Sequence, residues 1–390
     1  MFAVFKSARK MLKAAAVALT ALALAACDTV PGGGSGGGFG SGETVPVALL
    51  VPSGSGQGTN ELLAQSLENA ARLAMRDLNG VQIDLRVYPT AGDASLAAAN
   101  ASKAVDEGAQ IIIGPVFAAA ANAAGRAVAG RGVNVLSFSN NAAIAGGNLF
   151  VLGPTFQNTA NRMAGFAVSN GKRNFVVVHG NDVSGIQGRD AIQNAVSAQG
   201  GSVVGTVGYA LSQQDVIAAV PQIQSAVNST GADALFLTTD SATALPLLSQ
   251  LLPEAGVSNS VAQYVGLTRW DIPAQTLSLP GVQNGWFAIP DPNARTAFGN
   301  QYQDAYGSAP HPIGGLAFDA IAAVGALASQ GRDLSSGSLT QSAGYRGASG
   351  IFRLNPDGSN TRGLAVATIS DAQVQILSPA PQRFGGGLGF

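Results

Sequence analysis

The sequence is poor in the residues that build disulfide frameworks, metal sites and nucleic-acid interfaces. Its 390 residues include one cysteine and two histidines, which excludes an intrachain disulfide framework and argues against a histidine-built metal site. Charged residues make up 11% of the chain, the net charge is −1, and like charges form no block. Nucleic-acid binding needs clustered Lys and Arg, so we expect no nucleic-acid partner. Hydrophobic residues reach 46%, which excludes disorder over most of the chain, and the length predicts two domains.

Sequence motifs of common enzyme classes are also missing. There is no H-E-x-x-H, C-x-x-C or G-x-x-x-x-G-K-[ST] pattern, and His179 and His311 lie about 130 residues apart. Glycines and serines at 31–42 match G-x-S-x-G and G-x-G-x-x-G by composition alone, without the strand and helix that these motifs require. The glycine-rich loop at 54–58 is followed by Thr59, at the position where a dinucleotide-binding G-x-G-x-x-G motif needs its third glycine. We therefore expect no enzyme activity, no metal and no cofactor.

The N-terminus has the pattern of an export signal. Four Lys and Arg residues between positions 6 and 13 precede an apolar run at 14–26. Thirteen residues at 1.5 Å each span roughly 20 Å, less than the roughly 30 Å core of a bilayer, so the run predicts a secretory signal peptide. Leu24-Ala25-Ala26-Cys27 resembles a bacterial lipobox, which implies a lipoprotein signal peptide at 1–26 and lipidation of Cys27. An ordinary signal peptide with a free or buried cysteine is the alternative. The Gly/Ser-rich residues 27–43 predict a flexible tether.

The remaining chain alternates predicted strands with predicted helices. Strands are predicted at 45–51, 81–87, 110–113, 133–138, 174–178, 202–209, 234–238 and 263–266, and helices at 60–78, 94–107, 118–129, 157–169, 188–199, 216–229 and 242–252. Such β-α units predict an α/β fold of two doubly wound, mainly parallel lobes. Ligands of these sheets bind outside the carboxyl ends of the strands, which directs attention to the loops 52–60, 114–118, 137–141, 179–185, 238–242 and 267–271.

Several segments occur in the order and spacing of a known family. Val47–Pro52, Tyr88–Asp93, Ile112–Pro115 and Val135–Asn141 resemble type I periplasmic binding proteins of the leucine/isoleucine/valine-receptor kind, over roughly residues 44–378. The resemblance implies two lobes joined by three hinge strands, with a ligand cleft between them. The hinge strands are expected near 153–155, 288–291 and 337–350. Lobe 1 is then 44–153 plus 292–337, lobe 2 is 154–288 plus 338–378, and 379–390 is a Gly-rich tail.

A second set of segments resembles one lipoprotein branch of this superfamily. Thr268–Asp271, Gly285–Pro292 and Tyr302–Pro310 are similar to lipoproteins known as penicillin-binding-protein activators. In those proteins the fold is thought to press on a peptidoglycan synthase rather than to supply a transporter. The best-known activators carry a helical-repeat domain before this fold, where the present chain has its glycine-rich stretch.

The resemblance also implies a set of ligand contacts. Receptors of this family hold the ligand's carboxylate with hydroxyls and backbone N–H groups and its ammonium with a carboxylate. The corresponding candidates are Ser53, Gln57, Phe117, Ser137, Ser139 and Asn140 in lobe 1, and Asp182, Ser184, Thr239, Asp240, Arg269 and Trp270 in lobe 2. The usual serines or threonines after the Gly-Pro turn are replaced by alanines at 118–121, and Ser184 stands where a tyrosine is common.

Most of these residues have an alternative interpretation. The two aspartates suit helix N-caps, and the polar residues at 137–140 suit a capped turn. Trp270 and Arg269 suit packing at the lobe interface or a protein contact, where Trp and Arg are enriched. Phe117 suits filling of the cleft.

These observations predict a non-catalytic periplasmic lipoprotein, anchored to the inner or outer membrane through Cys27. The leading hypothesis is a solute-binding receptor of an ABC transporter, with an amino-acid-like ligand and an ABC permease as partners. The alternative is an activator of a peptidoglycan synthase that acts through protein contact and has no transported ligand.

Overall fold

The computed structural model describes residues 38–40 and 43–385. The predicted signal peptide, the lipidation of Cys27 and most of the predicted tether lie outside the described residues. The described residues belong to one compact unit, and the hydrophobic clusters found among them all lie within it. In that part of the chain, no helix combines the length and the apolar character that a bilayer crossing requires.

The described elements alternate along the chain as expected of an α/β protein. The strands are β1 (Thr44–Val51), β2 (Gln82–Pro89), β3 (Ile111–Ile113), β4 (Asn134–Ser137), β5 (Leu149–Val151), β6 (Asn174–Gly180), β7 (Ser202–Tyr209), β8 (Ala234–Leu237), β9 (Gln263–Gly266), β10 (Trp286–Pro290), β11 (Tyr345–Gly347), β12 (Gly350–Leu354), β13 (Asn360–Arg362), β14 (Leu364–Ser370) and β15 (Gln373–Ser378). The α-helices are α1 (Gly58–Arg76), α2 (Ala94–Asp106), α3 (Ala118–Val128), α4 (Phe156–Ser169), α5 (Val183–Ala198), α6 (Gln213–Thr230), α7 (Leu245–Glu254), α8 (Pro292–Tyr306), α9 (Gly315–Ser329) and α10 (Ser336–Leu339).

The first lobe is built on a fully parallel sheet in the order β2-β1-β3-β4-β5. Val47 to Val51 of β1 are at most 2% exposed, because helices cover both faces of the sheet. One face packs against α1 and α9, and the other packs against α2 and α3. The buried side chains of α1 recur at the helical spacing of residues 63, 67, 70, 71 and 74, as the sequence pattern predicts.

The second lobe is built on a seven-stranded sheet in the order β15-β14-β10-β9-β8-β6-β7. The strands from β6 to β10 are parallel, whereas β14 and β15 run antiparallel to their neighbours. Helices α6 and α7 cover one face, and α4 and α5 cover the other. The predicted α/β fold with two mainly parallel, helix-covered sheets is therefore confirmed.

Three chain crossings connect the lobes. The first follows β5 at Leu152–Thr155, and the second joins the end of β10 to the start of α8 at Asp291. The third, at 360–364, runs from β13 into the start of β14. There the Asn360 amide donates to the carbonyl oxygens of Val151 and Gly153, at 2.8 and 2.9 Å, so the third crossing is hydrogen-bonded to the first.

The prediction of a third hinge strand at 337–350, and of residues 338–354 in lobe 2, is wrong. Tyr345, Phe352 and Leu354 belong to the same core as β1, α1 and α9. Strands β11, β12 and β13 form a small antiparallel sheet of their own. Its inward side chains are large and apolar, so they are buried on the first lobe before the chain crosses over.

The sequence predicts a Gly-rich tail at 379–390, but the described residues of this segment, 379–385, are packed against the rest of the protein. Ala380 is buried in the core of the second lobe and Phe384 is 8% exposed. The Arg353 guanidinium of β12 lies 5.0 Å from the Phe384 ring centre, and the Gln382 amide donates to Asp291 Oδ2 at 2.8 Å. Residues 379–385 therefore pack over the crossings and contact both lobes.

Candidate ligand-binding cleft

The chain path places the carboxyl ends of both sheets at the boundary between the lobes. Strand β5 of the first sheet ends at Val151 and the chain crosses directly afterwards, whereas β10 of the second sheet ends at Pro290 and the chain crosses back. In each parallel sheet the other strands end at the same edge. The strand-end loops of both lobes therefore border one cleft, as expected for a ligand site of such sheets. Among residues 43–385, no hydrogen bond or ion pair joins these loops across the cleft.

The N-terminus of α3 is an uncapped helix end on the first-lobe wall. Its N-cap residue is Phe117, which offers no side-chain acceptor. Within the described residues, the backbone N–H groups of Ala118, Ala119 and Ala120 have no hydrogen-bond acceptor. By contrast, α2 is capped by Asp93, whose carboxylate accepts from Leu96 N–H at 2.7 Å. The α3 terminus thus presents unpaired donors and the positive end of a helix dipole, which attract anions.

Phe117 lies on the cleft side of this wall. Its side chain is 39% exposed, and its ring packs directly on Gly92, where an added Cβ would lie 3.1 Å from a ring carbon. Gly92 has a φ of +75°, so both the close contact and the backbone conformation favour glycine there. The ring is thus packed on Gly92 in the loop before α2, and the rest of the ring stays accessible.

The other predicted first-lobe contacts differ in accessibility. Ser137 is fully buried, and its hydroxyl donates to the Pro115 carbonyl at 3.0 Å. Ser139 is 4% exposed, and its hydroxyl accepts from Asn141 N–H. The structure therefore contradicts a ligand role for Ser137, whose hydroxyl joins two strand-end loops, and shows Ser139 stabilising its own turn. Asn140 and Gln57 are exposed and Ser53 is half-buried, so these side chains remain accessible.

Two carboxylates lie on the second-lobe wall, at the ends of neighbouring strands. Asp182 caps α5, accepting from Ser184 N–H and Gly185 N–H, both at 3.3 Å. Asp240 follows β8, and its Oδ1 accepts from Ala242 N–H at 3.0 Å and from the Thr243 hydroxyl at 2.8 Å. Within the described residues Asp240 Oδ2 has no hydrogen-bond partner, so one oxygen of this carboxylate is available to a ligand. The cap interpretation therefore describes Asp182 fully and Asp240 in part. Ser184 is exposed in the first turn of α5.

Tyr209 is a residue of this wall that the sequence reasoning missed. It ends β7 and is 3% exposed. Burial raises the pKa of its hydroxyl, and the nearby negative charges of Asp182 and Asp240 raise it further. The tyrosine therefore stays neutral and places an O–H group beside the two carboxylates. The loop after β7 was not among those singled out, although every parallel strand ends at this edge.

Arg269 and Trp270 do not reach the cleft as free side chains. Trp270 is fully buried; its ring stacks on Phe287 at 5.9 Å and occupies the space above Gly266 and Gly285. The prediction of a ligand-stacking Trp270 is therefore wrong, because the ring is packed in the core against Phe287 of β10. Arg269 forms a two-point ion pair with Asp271, with Nε donating to Oδ1 at 2.8 Å, so its charge is already compensated.

Thr239 is buried beside Asp240 at the end of β8. It is 2% exposed, and its Oγ1 has no hydrogen-bond partner among the described residues. Its carbonyl accepts from the Thr268 hydroxyl at 2.7 Å, which ties the β8 and β9 loops together. No group of three or more His, Cys, Asp or Glu side chains in the described part of the chain is arranged to hold a metal ion.

Comparisons with known proteins agree with this architecture. A family model described as "Periplasmic binding protein" matches residues 44–373. A branched-chain amino acid ABC transporter periplasmic ligand-binding protein from Burkholderia xenovorans LB400 is 16% identical, with a TM-score of 0.63 and coverage of 87% of this chain and 96% of that one. An ABC transporter substrate-binding protein from Desulfitobacterium hafniense, in complex with Leu, is 18% identical, with a TM-score of 0.58 and coverage of 86% and 100%. A solute-binding protein of an ABC transporter from R. palustris, in complex with benzoate, is 17% identical, with a TM-score of 0.54 and coverage of 87% and 98%. No curated protein sequence gives a match.

Proposed function

Because the chain belongs to the periplasmic binding protein family, we propose that it is a solute receptor whose lobes close around a small amino-acid-like ligand. It binds this ligand without transforming it and passes it to an ABC permease. We place the receptor in the periplasm, anchored to a membrane by lipid at Cys27. Its fold resembles that of receptors solved with Leu and with benzoate, ligands that share a carboxylate.

The observation that carries this proposal is the opposite charge preference of the two cleft walls. The first-lobe wall offers the uncapped N–H groups of Ala118, Ala119 and Ala120. The second-lobe wall offers the carboxylates of Asp182 and Asp240. A ligand with a carboxylate at one end and an ammonium at the other satisfies both walls only when the lobes close, because the groups belong to different lobes.

The carboxylate of the ligand is assigned to the α3 terminus. Hydrogen bonds to a charged group contribute about 1.5–3 kcal/mol each, and three unpaired N–H groups with a helix dipole suffice for one carboxylate. The alanines after Phe117 supply no hydroxyls, so this subsite depends on the backbone alone. The exposed face of the Phe117 ring suits an apolar part of the ligand next to its carboxylate.

The ammonium is assigned to Asp240 rather than Asp182. Both oxygens of Asp182 accept backbone N–H groups at the start of α5, whereas Asp240 uses one oxygen for its turn. The neutral hydroxyl of Tyr209 lies near both carboxylates and adds a further polar contact for the ligand.

The test is calorimetric titration of standard amino acids into wild type and Asp240→Asn. We expect binding by wild type and at least about a tenfold loss of affinity in the variant, equivalent to about 1.4 kcal/mol. Asp304→Asn is the control, since Asp304 is exposed on α8, away from the strand-end loops. Unchanged affinity in Asp240→Asn would leave Asp240 as a turn cap and remove it from the site.

The missing hydroxyls after the Gly-Pro turn favour one second candidate, activation of a peptidoglycan synthase by protein contact. In that function the cleft has no transported ligand, and its accessible Phe117 packs against the partner or the closed lobe. Pull-down with purified peptidoglycan synthases tests it. Capture of a synthase, together with no heat signal from any amino acid, would replace the receptor proposal.

A further inference from the structure

One edge of the second-lobe sheet is an exposed apolar strand. The first five residues of β15 are exposed, and the exposed fractions of Val374, Ile376 and Leu377 are 37%, 45% and 45%. These three account for a quarter of the twelve exposed large hydrophobic side chains found in the described residues. Neither face of β15 is therefore covered by a helix, unlike the faces of the inner strands.

The other edge strands of the two large sheets carry features that discourage pairing. Strand β2 has the Asp84–Arg86 ion pair, and β5 is three residues long. Strand β7 contains two glycines, and none of its apolar side chains is among the exposed ones. Charge and shortness are usual protections of a sheet edge. The sequence of β15, QVQILS, has no charge and no proline.

The strand is held in a fixed, extended conformation. It pairs with β14 in regular register from Ser370–Gln373 to Ala367–Ile376, and a register irregularity at Leu377 precedes the last pair, Val366–Ser378. At its far end, the Ser378 hydroxyl accepts from Arg162 Nη2 at 2.7 Å. Its other edge thus presents backbone N–H and C=O groups in strand geometry, ready to pair with a further strand.

We propose that β15 is a homodimer interface, at which a second copy of this chain adds its own β15 in antiparallel orientation. Identical strands related by a twofold axis pair antiparallel, and this isologous contact closes at two copies. Because the strand is uncharged, self-pairing brings no like charges together. The exposed Val374 lies opposite Ile376 of the other copy when the axis passes through Gln375, because opposite residues of an antiparallel pair share one face. The two seven-stranded sheets then continue as one.

The contact is small, so a weak dimer is expected. One pair of six-residue strands lies at the low end of specific interfaces. A dissociation constant in the micromolar range, about −8 kcal/mol, agrees with such a contact. In the sheet order, β15 lies four positions from β8, whose end carries Asp240, so this inference is independent of the proposed ligand.

The first test is sedimentation equilibrium of the unit 38–390 at about 1–100 µM, a range that brackets a micromolar constant. Wild type is expected to show a monomer–dimer equilibrium, and Ile376→Lys to weaken it at least tenfold. Ile217→Lys is the matched control, because Ile217 is 46% exposed on α6. Thermal melts show that each variant is folded. A monomer at every concentration, or a dimer unaffected by Ile376→Lys, would overturn the proposal.

The second test locates the axis without destabilising the strand. The unit 38–390 contains no cysteine, so a single introduced thiol reports its own neighbourhood. Gln375→Cys is expected to give a disulfide-linked dimer under mild oxidation, whereas Gln222→Cys on the exposed face of α6 is expected to stay monomeric. Equal cross-linking of both variants would show random collision and contradict a β15 interface.

Discussion

At the scale of single residues, Trp270 shows what a local pattern can and cannot predict. An aromatic residue between Arg269 and Asp271, after a strand, indicates a site or an interface. The structure buries the ring completely, in space that Gly266 and Gly285 leave open. Gly266 is close to Trp270 in sequence, but Gly285 and the stacking partner Phe287 lie on another segment, so the space for the ring is complete only in the folded chain.

Trp270→Ala is expected to lower the free energy of unfolding by about 3–5 kcal/mol, since a fully buried aromatic side chain is removed and a cavity remains. Trp286→Ala is the control because Trp286 is half-buried against Phe166, so a smaller loss is expected. Urea denaturation of both variants measures the difference. A loss below about 1 kcal/mol for Trp270→Ala would contradict its place in the core.

The ion pair of Asp319 and Arg362 is a second residue-scale feature that the sequence did not indicate. The two side chains are 1% and 6% exposed and 3.0 Å apart, and Asp319 also accepts from Ala348 N–H at 2.7 Å. Burial raises the pKa of Asp319, while the Arg362 charge and the Ala348 N–H lower it. The pair connects α9 to the third crossing, from residues 43 positions apart.

Asp319→Ala is expected to cost about 3–5 kcal/mol, because it leaves the Arg362 charge buried without a partner. Asp190→Ala removes a comparable but exposed pair with Arg189, so it is expected to cost less than about 1 kcal/mol. Chemical denaturation at neutral pH compares the two. Equal losses would show that the Asp319 pair is hydrated rather than buried.

At the scale of elements, helix and strand types were predictable and their ends less so. Helix α5 was predicted to begin at 188, but it begins at Val183 because Asp182 caps it. Helix α6 likewise begins at Gln213, after the Ser212 cap, three residues before its predicted start. Both caps are local and visible in the sequence. The short strands β11 to β13 carry no comparable signal, since three residues are too few for a periodic pattern.

The hairpin between β14 and β15 contains an unfavourable turn residue. Asp371 and Ala372 have φ values of 52° and 57°, which a two-residue turn of this kind requires and which favour Asn-Gly. Ala372→Gly is expected to stabilise the protein by about 0.5–1 kcal/mol, because glycine adopts this φ without strain. The matched control Ala218→Gly, exposed in α6, is expected to destabilise by about 1 kcal/mol. The midpoints of chemical denaturation of both variants measure these changes in stability. Destabilisation by both substitutions would contradict the turn conformation.

At the scale of the whole molecule, the two-lobed α/β architecture was predictable from the order of elements and the family resemblance. The third crossing was not. Its position depends on two contacts. Asn360 hydrogen-bonds to Val151 in the first crossing, from 209 positions away along the chain, and Phe352 packs in the first-lobe core. The packing of residues 379–385 over the crossings has the same long-range origin.

The candidate site followed the same rule. Its location at the strand ends and the role of Asp240 stay predictions, which follow from the tendency of parallel sheets to bind ligands at that edge. Whether a side chain there is accessible depends on neighbouring loops, as Ser137 shows by donating to Pro115. Tyr209 could have been predicted as a residue of this wall by examining the carboxyl end of every parallel strand, including β7.

The central claim is that the two lobes close on a ligand with a carboxylate and an ammonium, and a thermal-shift screen of the unit 38–390 tests it most directly. Amino acids, benzoate and cell-wall peptides are added separately, each well above its expected dissociation constant. A ligand at 100 times that constant stabilises by about 2.7 kcal/mol, which raises the melting temperature by several degrees. The proposed receptor is expected to respond to one or more amino acids and not to benzoate, which has no ammonium. No response to any amino acid would contradict the receptor function.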